Sequence, residues 1–170
     1  TYRANSNGSG VYASPNIAAA AGDVVTAFIN GASEDATTVT RMGSADLSGL
    51  NLFQNHVIVR SEDGSPLTIV NMAQYDSDQD ADIAFDAEDA ATDTLAAASG
   101  NVLLLNTAST FTPGGVITTP NFKQTAGTFN GGTQAMTING FNGNFRVSGG
   151  TFNSTSDTLL LDQAASFDVA

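Results

Sequence analysis

Short runs of β-branched and aromatic residues alternate with corners rich in Gly, Asn, Ser and Asp along nearly the whole chain. That pattern predicts strands separated by turns. In the first half, strands are expected over Asp23–Gly31, closing on the Asn30-Gly31 turn, and over Thr37–Met42. Others are expected at Leu50–Phe53, His56–Arg60, Pro66–Val70 and Thr94–Ala97. Two helical pieces interrupt this reading: a turn at Asn16–Gly22 closed by its glycine, and Asp86–Ala91 with Asp86 as N-cap. Residues 1–16 are polar and loop-like around a short strand at Val11–Ala13. They read as a frayed terminus or as an arm that adds a strand to a neighbouring subunit.

The second half repeats itself. Asn101–Phe111 aligns with Asp157–Phe167 at an offset of 56 residues, and Ala126–Gly131 aligns with Gly149–Ser154 at an offset of 23. Short strands, Gly-Gly and Asn-Gly corners and a recurring Phe resemble stacked coils, none of which can bury its inner face alone. The fold class expected is therefore all-β: a β-sandwich-like part over residues 17–100, then β-solenoid coils or additional hairpins over 101–170, as two parts or as one continuous domain. A last coil without a capping segment would expose strand edges, which favours a homo-oligomer or polymer built by strand addition.

Between these halves lies Asp76–Asp93, with seven Asp, one Glu and no Lys or Arg in eighteen residues. So many like charges at close range repel one another unless a cation sits among them. Ca²⁺, with six to eight oxygen ligands, is the natural partner. Counting from Asp78, acids fall at loop positions 1, 3, 5, 9 and 12, close to EF-hand spacing, but Ile83 replaces the usual Gly and Asp89 the usual Glu. The expectation is a calcium loop outside the EF-hand fold, with Asp76, Asp78, Asp80, Asp82 and Asp89 as ligands and Asp86 and Asp93 in reserve. The plainer reading is a solvated acidic turn.

Composition narrows the function classes. A net charge of −12 repels phosphate backbones and anionic lipid, so neither nucleic-acid binding nor membrane insertion is expected. Without Cys there is no disulfide framework, thiolate metal site or Cys nucleophile. The chain opens Thr1-Tyr2-Arg3, which reads as a processed form or a piece of something longer. Its Thr, Ser, Asn, Gly and Ala content is that of extracellular or cell-surface β-structure.

The runs Ala36–Arg41, Leu50–Arg60, Pro66–Ile69 and Tyr75–Ile83, followed by Thr110-Phe111-Thr112-Pro113-Gly114-Gly115, resemble a module of large secreted bacterial surface proteins with β-helical repeats. The resemblance spans residues 24–115 and implies an extracellular structural or adhesive role without a catalytic residue.

Catalytic chemistry finds little footing. His56, the single histidine, starts an apolar strand with no nucleophile motif beside it. Glu34, Glu62 and Glu88 suit a carboxylate pair by residue type alone, so no enzyme is expected. Lys123 reads as an exposed strand lysine, with an intramolecular isopeptide bond as the sharper alternative. Asn7 and Asn153 stand in glycan sequons of a kind that recur by chance in such a sequence. Phe111, Phe122, Phe129, Phe141, Phe145, Phe152 and Phe167 are expected as stacked core rungs; the other option is a sugar-stacking platform. The function expected is a calcium-stabilised surface-layer, filament or adhesin subunit; a carbohydrate-binding module, with surface glycans as partners, is the alternative.

Overall fold

The computed structural model describes residues 2–14, 16–163 and 166–169. Thr1 and Pro15 of the expected arm, and Ala164, Ala165 and Ala170 of the repeat region, lie outside the described residues. In chain order the strands are β1 (Val24–Phe28), β2 (Ala36–Arg41) and β3 (His56–Ser61), then a short helix α1 (Ile69–Met72). They continue as β4 (Phe85–Glu88), β5 (Thr94–Ala97), β6 (Val102–Leu105), β7 (Thr110–Phe111), β8 (Val116–Thr119) and β9 (Asn121–Gln124). The rest are β10 (Thr128–Asn130), β11 (Met136–Ile138), β12 (Asn144–Val147), β13 (Thr151–Asn153), β14 (Leu159–Leu161) and β15 (Ser166–Val169).

These strands form a β-solenoid with three faces. Face A runs β1-β2-β3-β6-β9-β12-β15, face B β13-β10-β7, and face C β14-β11-β8-β5-β4. Pairing is parallel throughout except for β1 on β2 and β4 on β5. Six parallel rungs of face A, β2 to β15, correspond to about six coils. The strands expected to make a sandwich, β2 and β3, are thus rungs of the same sheet as the C-terminal coils. One apolar cluster accordingly extends from Val39 to Val147.

Register explains which repeat is real. Phe129 lies opposite Phe152, and Phe122 opposite Phe145, so the 23-residue offset is one coil. The 56-residue match is not a coil equivalence, because Val102–Leu105 belongs to face A and Leu159–Leu161 to face C. A leucine run serves the inner surface of either face, so composition alone could not separate them.

Inside, aligned side chains stack. Leu103, Phe122, Phe145 and Phe167 form one column of face A, and Phe111, Phe129 and Phe152 one column of face B. Phe122 and Phe145 are 5.3 Å apart at 21°, Phe129 and Phe152 5.0 Å apart at 6°. Phe111, Phe122, Phe129 and Phe145 are buried as expected, Phe152 partly so, whereas Phe167 and Phe141 are exposed. The tight A-to-B corner explains one glycine: Gly127 has φ +74°, and a Cβ there would lie 2.4 Å from the Thr107 carbonyl oxygen.

Several local expectations change. Pro66–Val70 is not a strand: Leu67 makes an isolated bridge to Phe111, and α1 follows. Its Thr68 side chain accepts from the Asn71 amide while Asn71 Oδ1 accepts from the Thr68 amide, a capping box. Asp86–Ala91 is not a helix, because Phe85 and Ala87 alternate inward and β4 pairs with β5. Neither Val11–Ala13 nor Leu50–Phe53 is a strand, and Asn16–Gly22 holds a turn without a helix. The Leu50–Phe53 segment lies instead over the outside of face A, where its Asn51 carbonyl accepts from the Thr38 hydroxyl at 2.6 Å. The neighbouring Leu50 carbonyl accepts from the Tyr12 hydroxyl. Beneath that cover, outward-pointing Ile58 and Leu104 are buried.

A coil corner is fastened by Arg41, whose guanidinium donates to Asp63 from Nη2 at 2.8 Å and from Nε at 3.1 Å. Hydrogen bonding from Arg41 above all, helped by the Ser65 amide and the Ser61 hydroxyl, lowers the Asp63 carboxyl from its ordinary 3.8 to about 2. A depressed folded-state value stabilises the fold above the unfolded value, and the contribution is lost as pH falls through the folded one. Denaturation midpoints should therefore drop between about pH 4 and pH 2, and Asp63→Asn should flatten that segment of the profile. An unchanged slope in the variant would remove the pair from the acid response.

Candidate metal centre

Three turns of backbone logic bring carboxylates together. Asp76 follows α1 and is buried, yet both of its oxygens are used: Oδ1 accepts from the Asp78 amide at 3.0 Å and Oδ2 from the Ala87 amide at 3.0 Å. The first bond is an Asx turn that folds Asp78 back beside it. The second ties the loop to β4, as does the bond from the Ser77 amide to the Phe85 carbonyl at 3.0 Å. Because β4 alternates, Phe85 and Ala87 enter the core and Asp86 points outward, next to the same loop.

The result is a group in which oxygens of Asp76, Asp78 and Asp86 all lie within 4.8 Å of one another. Ligand oxygens on a single Ca²⁺ sit at about 2.3–2.6 Å from it, hence at most about 5 Å apart, so the three carboxylates suit one such ion. Burial raises the Asp86 carboxyl above its ordinary value, and the charges of Asp76 and Asp78 raise it further. Mutual repulsion of this kind is what a divalent cation relieves.

Other acids of the stretch have different employment. Asp82 Oδ2 accepts from the Gly31 amide at 2.7 Å and Asp80 Oδ2 from the Asn30 amide group at 3.4 Å, strapping the loop to the tip of the β1–β2 hairpin. Asp80 Oδ1 also accepts from the Asp82 amide. Asp93 Oδ1 accepts from the Ala90 amide at 3.2 Å in a turn, and Asp89 is exposed. The structure therefore joins Asp76, Asp78 and Asp86 and leaves Asp80, Asp82, Asp89 and Asp93 outside that group. EF-hand counting assumes a continuous loop around the ion, whereas here β4 returns Asp86 from across a hairpin-like crossing.

The remaining candidates stay apart. His56 has its Nδ1 2.7 Å from the Gln54 carbonyl oxygen, at the start of β3. Glu62 pairs with Arg60 and Glu34 lies in an exposed loop. Lys123 points outward from face A between Leu104 and Arg146, away from the aromatic core. Sequence reasoning missed the roles of Asn30 and Gly31 as anchors of the acidic loop; the Asn-Gly turn signal located them without revealing what they hold. No helix among the described residues is long and apolar enough to cross a membrane. No protein-family model, curated protein or solved structure matches the chain, so a functional reading rests on the fold and on this centre.

Proposed function

We propose that this chain is an extracellular, calcium-stabilised structural protein, a surface-layer, filament or adhesin subunit that self-assembles or attaches. Asp76, Asp78 and Asp86 hold the ion. The observation that carries the reading is their convergence within 4.8 Å around a buried aspartate without a cationic side chain among them. Support comes also from the position of the site. It lies where the acidic loop that follows α1 meets β4, so a bound ion would fasten that loop to the edge strand of face C. A solenoid whose coils contact only their neighbours gains most from such a fastening, since its weakest coil sets where it opens.

Thermal unfolding in millimolar CaCl₂ and in excess EDTA tests the proposal. At a calcium concentration a hundredfold above Kd the folded state gains about 2.7 kcal/mol. For a chain of this size that raises Tm by roughly 5–10 °C. Superimposable curves would remove the metal. Light scattering on the same samples reads assembly: oligomers that dissociate in EDTA support the subunit role, and a monomer under both conditions argues against it. The alternative, a carbohydrate-binding module, loses its aromatic platform because most of the Phe series is core, but it keeps the exposed rings of Phe141 and Phe167, of which Phe141 is the more exposed.

A further inference from the structure

Coils of this solenoid are not all the same length. From β8 to β11 the register offset is 19 residues, as in Ile117 opposite Met136, whereas from β9 to β12 it is 23, as in Phe122 opposite Phe145. The four extra residues therefore enter between β11 and β12, in the turn Asn139–Gly143. This turn displays Phe141, 85% exposed and the most exposed large apolar side chain among the described residues.

The turn is held in place. The Asn139 amide donates to the Thr119 carbonyl at 3.0 Å, the Gly143 amide to the Gly140 carbonyl at 2.7 Å, and the Asn142 amide to the Gln163 carbonyl at 3.1 Å. Asn142 adopts φ +56°, and Gly143 packs so closely that a Cβ would lie 2.4 Å from the Pro120 carbonyl oxygen. An exposed aromatic ring on a pinned turn is pre-organised, which lowers the ordering cost of binding something to it.

Beside the ring runs a groove of about 370 Å³ over three successive C-to-A corners, lined by Ser99, Gly100, Pro120, Asn121 and Asn139 together with Phe141. That volume lies in the range of small-molecule sites. In a chain of net charge −12 this lining carries no charged side chain. Asn121 is consumed internally, donating to the Asn101 carbonyl and accepting from the Asn144 amide. Among the described residues, the Ser99 and Asn139 side chains make no hydrogen bond within the chain.

We propose that this groove is a subsite for an uncharged sugar ring, which stacks its C–H face on Phe141 and places its hydroxyls on Asn139 and Ser99. An aromatic face with a few convergent neutral hydrogen-bonding groups matches that ligand, and the lack of charge disfavours acidic sugars and ionic peptides. The inference rests on the attachment half of the proposed function and is independent of calcium.

The test is an amide-resonance titration of the ¹⁵N-labelled chain, in calcium and in EDTA. The neutral probes are cellotriose, maltotriose and chitotriose; trigalacturonate is the acidic one. At least one neutral probe should give saturable shifts at Ser99, Gly100, Asn121 and Asn139–Gly143, with none from trigalacturonate. Phe141→Ala should weaken that binding about tenfold with Tm unchanged, and Phe141→Tyr should retain it. The proposal is overturned if no neutral probe moves these resonances, if trigalacturonate binds as well, or if Phe141→Ala binds undiminished. It is overturned equally if Phe141→Ala converts an oligomer to a monomer, which would assign the ring to self-association. Loss of the calcium effect on melting leaves this result untouched, so the two readings fail separately.

Discussion

Replacing Phe122 by alanine is expected to cost about 3–5 kcal/mol and to lower Tm by roughly 10 °C or more. Phe122 is 1% exposed, stacks on Leu103 of the preceding rung and touches rings of its own and the next coil: Phe129 at 5.3 Å, Phe145 at 5.3 Å and Phe152 at 5.8 Å. The deletion removes the buried ring and leaves a cavity that the rungs above and below cannot close, because parallel pairing fixes their separation near 4.8 Å. A domain of ordinary stability, about 5–15 kcal/mol, would lose a large share of it. Phe122→Leu, which keeps most of the volume, should cost less than half as much. Lys123→Ala, one residue along and facing outward, should stay within about 0.5 kcal/mol. Chemical denaturation of the three variants checks the order; equal midpoints for Phe122→Ala and Lys123→Ala would refute a core built on this column.

The second large effect is a reversal of sign at the acidic centre. Asp78→Asn removes one of the charges that push the Asp86 carboxyl upward. In EDTA the variant should melt at a higher temperature than the parent, with the difference growing as pH rises from about 4 through the raised Asp86 value. The direction follows because a carboxylate whose folded-state value is raised is held at a cost once ionised, and the substitution relieves it. In millimolar calcium the order should invert, since a ligand is missing. Asp76 behaves differently, for its carboxylate also accepts the Asp78 and Ala87 amides. Asp76→Ala leaves the buried Ala87 amide without an acceptor and should destabilise with or without the ion, by about 1–3 kcal/mol. Asp76→Asn keeps one of the two acceptors, so it should lose the calcium response with a smaller loss of stability than Asp76→Ala. Four melting curves per variant, with and without calcium at two pH values, decide it. If Asp78→Asn destabilises equally in calcium and in EDTA, the cluster is a turn and not a metal centre.

Both results bear on how the chain could be read. β3 and β5 were legible because β-branched and apolar residues sit between recognisable turn residues. The recurring Gly-Thr-Phe-Asn motif was legible as a coil, since Gly127 and Gly150 stand at equivalent corners and carry positive φ. Pro66–Val70 misled because its apolar run resembles a strand, while the Thr68–Asn71 capping box outweighs that preference locally. Asp86–Ala91 misled in the opposite way: acids and alanines suit a helix, but the inward alternation of Phe85 and Ala87 finds a sheet edge on β5. At the site, the concentration of carboxylates was plain and Asp76, Asp78 and Asp86 were among those named. Their grouping was not, because it depends on a hydrogen bond between Asp76 and an amide eleven residues away.

Local patterning thus sufficed for an all-β chain with coil-like repeats in its second half, a phenylalanine interior and a concentrated negative charge, since each of those follows from residues near one another in sequence. That the first half belongs to the same solenoid was decided by the tertiary structure. Which runs share a face, which repeat is one coil, and which three of seven aspartates meet are set by inter-coil register. Register is a property of distant strands competing to bury the same apolar column, and no short stretch contains both competitors.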